Sequence, residues 1–452
     1  MSWEVRDEWF MVTSVLKDVL TRMGTDITQS SEDPVSQMGK RVYSLYYRPV
    51  HFGSSSEDGY VGFIDSGFKV VNMDTAAFAI VSVGSTIRRI DGAPEELLDA
   101  PSLLGADASG IDLLLIYVSR VFTEGKYTYR VEVKALSPNN FLLKPEDEAS
   151  VNESLSIELE RFGLKSEERA NIIQSLLKYL IQLIELAYAV KVMKLSGDMV
   201  RAMVLDGTLL RWFTVGKAKP EADGLTIVES ILRPGVGGGA VEVKRVIRRI
   251  YGLSKTTSLT GLLRAHSLFR EAGMMENAYA EIREDRLSDV GKELNDFLEQ
   301  NDWSDASVKA VKRIVKRFNA RAYRASDVYV LRFPIMSGPE YVFMLDLHSD
   351  APVIEPPTAS EQVRVRKPAA VKANKVLREV MPKIFSVREA VPGYPPHGFM
   401  SVDQVVRMGG ERARSIEKRV SEAVSQAIKE NPDLGPIIQL LGASILLRHG
   451  YR

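Results

Sequence analysis

A change of hydrophobic period partway along the chain constrains its fold more than any other feature. Between Tyr60 and Leu136 the runs YVGFIDSGFKVV, AAFAIVSVGSTI, IDLLLIYVSRVF and YTYRVEVKAL are apolar, or alternate between apolar and polar. That is the pattern of strands buried on one or both faces, and the turn-like segments between them predict a mostly antiparallel sheet. Over 167–194 the period becomes helical: Ile172, Ile173, Leu176, Leu177, Leu180, Ile181, Ile184, Leu186 and Val190 form a broad apolar face. After a short break at SGD, MVRAMVLDGTLL reads as a further buried strand ending in a turn. Strands, then a helix, then a strand predict an α/β fold, a mixed sheet flanked by helices.

The rest of the chain is less regular. Trp3, Phe10, Val12, Val15, Leu16, Val19 and Leu20 predict an amphipathic opening helix that ends near Gly24; a polar loop over 25–38 and a strand in RVYSLYYRPV follow. Residues 216–240 end in PGVGGGA, a flexible loop, and 241–272 read as helix interrupted by GLSKTTSLTG. The stretch 286–325 reads as charged helix, DVYVLRFPI and EYVFMLDLH as strands, and 369–381, 400–427 and 436–448 as helices. The expected organisation is an N-terminal helix and leading strand over 1–59, the first part of the core over 60–272, a helical insertion over 273–325, and core completion with C-terminal helices over 326–452. No repeat of fixed period is present, which argues against a solenoid or propeller.

Composition narrows the functional classes. With no cysteine among 452 residues, disulfides and cysteine-ligated zinc are excluded. Fifty-nine basic and 59 acidic residues cancel, so nucleic acid could be attracted only by local basic patches. One such patch is the run Lys309, Lys312, Arg313, Lys316, Arg317, Arg321 and Arg324, and another is Arg364, Arg366 and Lys367; each is also what a solvated face looks like. The glycine-rich PGVGGGA lacks the Gly-Lys-Ser/Thr ending of a phosphate-binding loop, so ATP hydrolysis is not expected. The opening MSWEVRDEWF has no basic-then-apolar signal pattern, and the apolar runs are too short and interrupted to cross a bilayer, so a cytoplasmic protein with no membrane partner is expected.

Three carboxylates stand where charge is costly. Asp65 lies at the end of the first apolar strand, inside GFIDSG, Glu185 interrupts the apolar helix LIQLIELAYAV, and Asp206 ends the strand AMVLDGTLL. Singly, each has an ordinary explanation: a strand-end cap, the rim of an apolar stripe, an Asp-Gly turn. Together, their order on strand, helix and strand is that of an RNase H-like nuclease. Clustered carboxylates there hold divalent cations that make a water nucleophilic and stabilise the leaving oxyanion. Hard oxygen donors favour Mn²⁺ or Mg²⁺.

These motifs resemble the archaeal NurA nuclease family. Its opening strand and Asp-Gly-Ser-like turn correspond to FIDSGFK, in which Ser66 and Gly67 are exchanged. Its helical glutamate, about twenty residues before a strand ending in Asp-Gly, corresponds to Glu185 and VLDGTLL. A lysine and hydroxyl-rich stretch corresponds to GLSKTTSL with Lys255, and a Gly-Tyr-Pro motif to Gly393, Tyr394 and Pro395. After that motif the run PPHGFMSVD departs from the family pattern and leaves Asp403 and His397 as alternatives for a fourth metal ligand. The resemblance implies a Mn²⁺-dependent homodimeric nuclease with 5′ to 3′ exonuclease and single-strand endonuclease activity. It also implies work with HerA, a hexameric ATP-driven translocase, on double-strand break ends. Asp65, Glu185, Asp206 and Lys255 would be catalytic, with Lys255, Tyr394, Lys312, Arg313, Lys316 and Arg317 on the DNA. The competing reading is a catalytically degenerate subunit that binds DNA ends or the translocase on the same fold.

Overall fold

The computed structural model describes residues 47–49, 58–72, 76–90, 98–123, 126–161, 170–207, 209, 213–215, 219–222, 224–236, 243, 245–255, 278–282, 326–334, 340–348, 384 and 397–431. Strands β1 (Tyr47–Pro49), β2 (Tyr60–Asn72), β3 (Ala76–Arg89), β4 (Ile111–Thr123), β5 (Lys126–Ala135), β6 (Val200–Asp206), β7 (Phe213–Val215), β8 (Lys219–Ala222), β9 (Ile250–Ser254), β10 (Ala278–Ile282), β11 (Ser326–Pro334) and β12 (Glu340–His348) accompany six helices. These are α1 (Ala100–Leu104), α2 (Glu148–Arg161), α3 (Ala170–Ser196), α4 (Leu225–Val236), α5 (His397–Val406) and α6 (Gly410–Glu430).

The chain divides into two compact units. The smaller holds 1–51, 254–346 and 390–394; the larger holds 52–253, 347–389 and 395–452. In the smaller unit β1, β10, β11 and β12 are neighbours in that order, with β10 antiparallel to both β1 and β11. In the larger unit the order is β9-β6-β2-β3-β4-β5. Strands β2 to β5 are antiparallel neighbours, whereas β6 runs parallel to β2 and β9 parallel to β6. The mixed α/β sheet flanked by helices is therefore the one expected from the change of period.

Helix α3 supplies the return. The chain leaves the sheet after β5 at one edge and must re-enter on the far side of β2. A 27-residue helix of roughly 40 Å spans that distance while burying its apolar face on the strands. Its Leu176, Leu180, Ile184, Ala187 and Val190 share one apolar core with Ile64, Val81, Leu114, Met203 and Leu205. Val61, Phe63, Ala202 and Val204 are also buried but stand outside that core. They belong to the opposite sheet face, as strand alternation requires, and Phe63 meets Phe399 of α5 there with ring centroids 5.1 Å apart. The close approach of α5 depends on two glycines. A Cβ on Gly398 would overlap the Phe63 ring, and one on Gly67 would overlap the Val406 carbonyl oxygen. Helix α5 thus runs in the same direction as β2.

Side chains complete the backbone pairing at the β5 end of the sheet. Asn152 of α2 accepts from the Val133 N–H at 2.7 Å and donates to its carbonyl at 3.1 Å, and Glu148 accepts from the Ala135 N–H at 2.7 Å. Asn140 does the same for Leu113. Beside it Asp112 accepts from the N–H groups of Phe141 and Leu142, while Lys191 of α3 donates to the carbonyls of the same two residues. All four backbone groups of Phe141 and Leu142 are therefore satisfied by two buried side chains, one acidic and one basic.

Four local readings are corrected. Residues 225–236 form α4, which takes in the first three residues of the expected loop 234–240: Leu225, Ile227, Val228, Ile231 and Leu232 are all buried, with α2 and α3 as neighbours, and that burial outweighs the Pro-Gly pair in the last turn. Ile250–Ser254 is strand β9, not helix; a five-residue fully buried run carries no period to tell the two apart. The helix expected over 400–427 is two helices, divided at residues 407–409 before Gly410 at φ +57°. Residues 278–282, within the stretch expected to be a helical insertion, form β10. The opening helix, the basic run 309–324 and the helices 369–381 and 436–448 lie outside the described residues. Among the described residues no helix is long and apolar enough to cross a membrane.

Two predictions follow from this packing. Gly67→Ala, which drives a methyl into a helix backbone, is expected to lower stability by about 1–3 kcal/mol; an unchanged urea midpoint would refute the close approach. Burial pushes the Asp112 carboxyl up to about 7, against the two N–H groups and Lys191, which pull it down. The folded form then holds a proton that the unfolded form, titrating near ~4, has lost. This group's contribution to stability is fully present below about pH 4 and is lost as pH rises through about 7. The slope of unfolding free energy against pH over that window should be more negative in the wild type than in Asp112→Asn, and equal slopes would overturn the assignment.

Candidate active site

The parallel register places two of the three carboxylates side by side. Phe63 pairs with Val204 and Ile64 with Leu205, so the next position on each strand is Asp65 and Asp206. Paired residues on parallel strands point to the same face, with strands about 4.8 Å apart. Val61, Phe63 and Asp65 therefore form one row and Ala202, Val204 and Asp206 its neighbour, on the face that receives Phe399 of α5. Strand β6 stops at Asp206 while β2 continues to Asn72, so the acid pair lies where the parallel ladder ends. Strand β2 is also where the order switches direction: β3 leaves on one side and β6 enters on the other. A crevice beyond the carboxyl end of a strand at such a switch is where open α/β sheets bind ligands.

Local backbone geometry holds this end open. Gly207 follows Asp206 at φ +109°, a conformation that other residues rarely adopt, and its N–H donates to Leu253 of β9 at 3.1 Å. The Asp65 Oδ1 accepts from the Ser66 N–H at 2.8 Å. Both aspartates are half-buried.

Glu185 reaches the same level of β2 from the other layer. It is buried on α3, and its Oε1 accepts from the Ser66 hydroxyl at 2.5 Å. Ser66 continues the Ile64 row toward α3, so Ser66 links the glutamate to the residue next to Asp65. The sequence motif gave Ser66 no role beyond its place in the turn. The signal that could have found it is strand alternation, which turns residue 66 toward the helix when residue 65 faces away.

The three carboxylates do not form one donor group. Among the described residues, no set of three or more histidine, aspartate or glutamate side chains is placed to hold a metal ion. Asp65 and Asp206 alone fit a Mg²⁺ or Mn²⁺ ion, which commonly takes one or two carboxylates and completes its shell with water and substrate phosphate. Of the alternatives for a further ligand, Asp403 lies on α5, the helix that crosses the Asp65 face, one residue beyond the buried Val402. His397 begins the same helix. Lys255 directly follows β9 in the sequence and belongs to the smaller unit. Gly393, Tyr394 and Pro395, together with Lys312, Arg313, Lys316 and Arg317, lie outside the described residues. Asp112, whose carboxyl is pushed up by burial, is held in the backbone clamp described above, so here a shifted ionisation marks architecture.

No family model and no curated protein matches the chain. Among solved structures, the NurA nuclease from Sulfolobus solfataricus is 12% identical, with 95% of this chain and 99% of that chain covered and a TM-score of 0.39. A NurA structure bound to dAMP and manganese is 9% identical, covering 89% of this chain and 94% of that chain, with a TM-score of 0.32. A NurA structure with manganese is 10% identical over 91% and 98% of the two chains, at a TM-score of 0.33. The solved structures similar to this chain over nearly its whole length thus include NurA nucleases.

Proposed function

We propose that the chain is a metal-dependent deoxyribonuclease of the NurA type, acting on DNA ends. The observation that carries this reading is the matched register of Asp65 and Asp206 at the end of the β2–β6 ladder, with Glu185 tied to the next residue of β2, Ser66. Two carboxylates at about one strand spacing repel each other in an unliganded site, and a divalent cation offsets that repulsion. When bound, Mn²⁺ or Mg²⁺ supplies an activated water and stabilises charge on the departing oxygen. Asp65 and Asp206 would hold the ion. Glu185, bonded to the Ser66 hydroxyl from the α3 face, would fix the β2 backbone beside Asp65, and Asp403 or His397 would complete the ligand set from α5. Lys255, Tyr394 and the Lys312 to Arg317 segment position the DNA backbone. The finer assignment is 5′ to 3′ exonuclease and single-strand endonuclease activity in a homodimer that processes double-strand break ends with a HerA-type translocase.

One observation favours the second reading, a catalytically degenerate subunit that binds DNA ends or the translocase: the three carboxylates are not gathered into one donor group. A cleavage assay separates the two. End-labelled duplex and single-stranded DNA are incubated with the protein in Mn²⁺, Mg²⁺ or EDTA, with and without a HerA-type hexamer, beside Asp65→Asn and Asp206→Asn. The nuclease reading expects metal-dependent cleavage that both substitutions abolish. Ser66→Ala should weaken metal affinity or activity by about 10–100-fold, the usual effect of losing a partner that orients a ligand. A folded wild type that cuts nothing in any metal, alone or with the hexamer, establishes the degenerate subunit instead.

A further inference from the structure

A second charged site lies in the larger unit, at the opposite end of β6 from the acid pair. A cavity of about 530 Å³ opens between the last turn of α3, the turn into β6 and the segment entering β9, and its lining includes Lys194, Asp198, Arg245, Arg248 and Arg249. Four cations face one carboxylate there. The volume is within the usual range for small-molecule sites.

The cavity is built by its surroundings. Val243, Ile247 and Ile250 are buried and anchor the segment. Arg245, Arg248 and Arg249 are spaced i, i+3 and i+4, which puts them on one side of a helical turn. Arg249 is fixed as well as charged: its Nη1 meets Asp198 Oδ1 at 3.1 Å and its Nη2 donates to the Gly197 carbonyl at 2.8 Å. That second bond occupies a carbonyl just past the end of α3, which would otherwise repel an anion. The lining also carries Lys194, Arg245 and Arg248, the last two solvent-exposed. Guanidinium groups match phosphate oxygens in pairs and are weakly hydrated, which suits them to backbone recognition without base reading.

We propose that this cavity binds backbone phosphates of the nucleic acid, as a holding subsite separate from the cutting site. The choice of nucleic acid rests on the nuclease reading. The seven residues of β6 set the two sites roughly 20 Å apart, so the cavity grips the substrate away from the scissile bond.

The test measures affinity for a fluorescein-labelled single-stranded oligonucleotide in EDTA, across about 50–200 mM salt. In EDTA no metal-dependent cutting occurs, so the readout is independent of whether the carboxylates are catalytic. R245E/R248E is expected to flatten the slope of log affinity against log salt by about 1.5, the loss of two phosphate contacts. R245K/R248K should retain the slope. R130E/K134E, an equal charge reversal on exposed positions of β5, should also retain it. An unchanged slope in R245E/R248E overturns the proposal, as does an equal flattening in R130E/K134E. An unchanged slope together with lost dAMP binding in R245E/R248E also overturns it, in favour of a free-nucleotide pocket. If cleavage still depends on Asp65 in any of these cases, the nuclease reading stands without the subsite.

Discussion

Parallel pairing of β2 with β6 is the constraint on which the rest of the larger unit depends. Antiparallel neighbours can follow one another through short turns, as β2–β3 and β4–β5 do, while β3 reaches β4 through residues 90–110, which include α1. A parallel neighbour for β2 can be laid down only after the chain has crossed the sheet, and the intervening residues must bury themselves on the way. The 27 residues of α3 meet both demands, and their apolar face becomes the core. The same pairing leaves β2 at the point where strand order changes direction, and it aligns residue 65 with residue 206 without any loop having to be accurate.

The two sheet faces divide the chemistry. One face, under α3, is almost wholly aliphatic, and Glu185 enters it paired to Ser66. The other lies under the short α5, whose approach needs glycine at positions 67 and 398, and the aspartate pair stands on this side. A carboxylate pair on the α3 side would be sealed under 27 residues of helix. Under the ten-residue α5, at the end of a ladder, it keeps access to solvent.

How much of this is legible in the sequence depends on the length of each periodic signal. The four long strands, α3 and β6 show their period over seven to 27 residues, and their identities follow. Ile250–Ser254 is too short to show one, and its pairing with β6 decides its state. Residues 225–236 carry a helical apolar pattern that a Pro-Gly pair disguises, because local propensity is weaker than burial of five side chains. The carboxylates stand out in sequence because each interrupts an apolar run, but their grouping does not: it takes register to show that Asp65 and Asp206 are neighbours and that Glu185 comes from the other layer. Asp112 also stands at the head of an apolar strand. Only its bonds to Phe141 and Leu142 distinguish it from an active-site acid.

The side chains of α2 along β5 have a consequence for how this protein meets others. An exposed edge strand is a template on which any extended peptide, including another copy of the same chain, can continue the sheet. Asn152 and Glu148 already occupy outward-facing amide groups at Val133 and Ala135, and Asn152 also takes the Val133 carbonyl. The ladder is therefore terminated by two side chains from the protein's own helix. Growth of the sheet by strand addition is blocked at that margin, and a partner docking there must do so through shape and charge on the outside of α2.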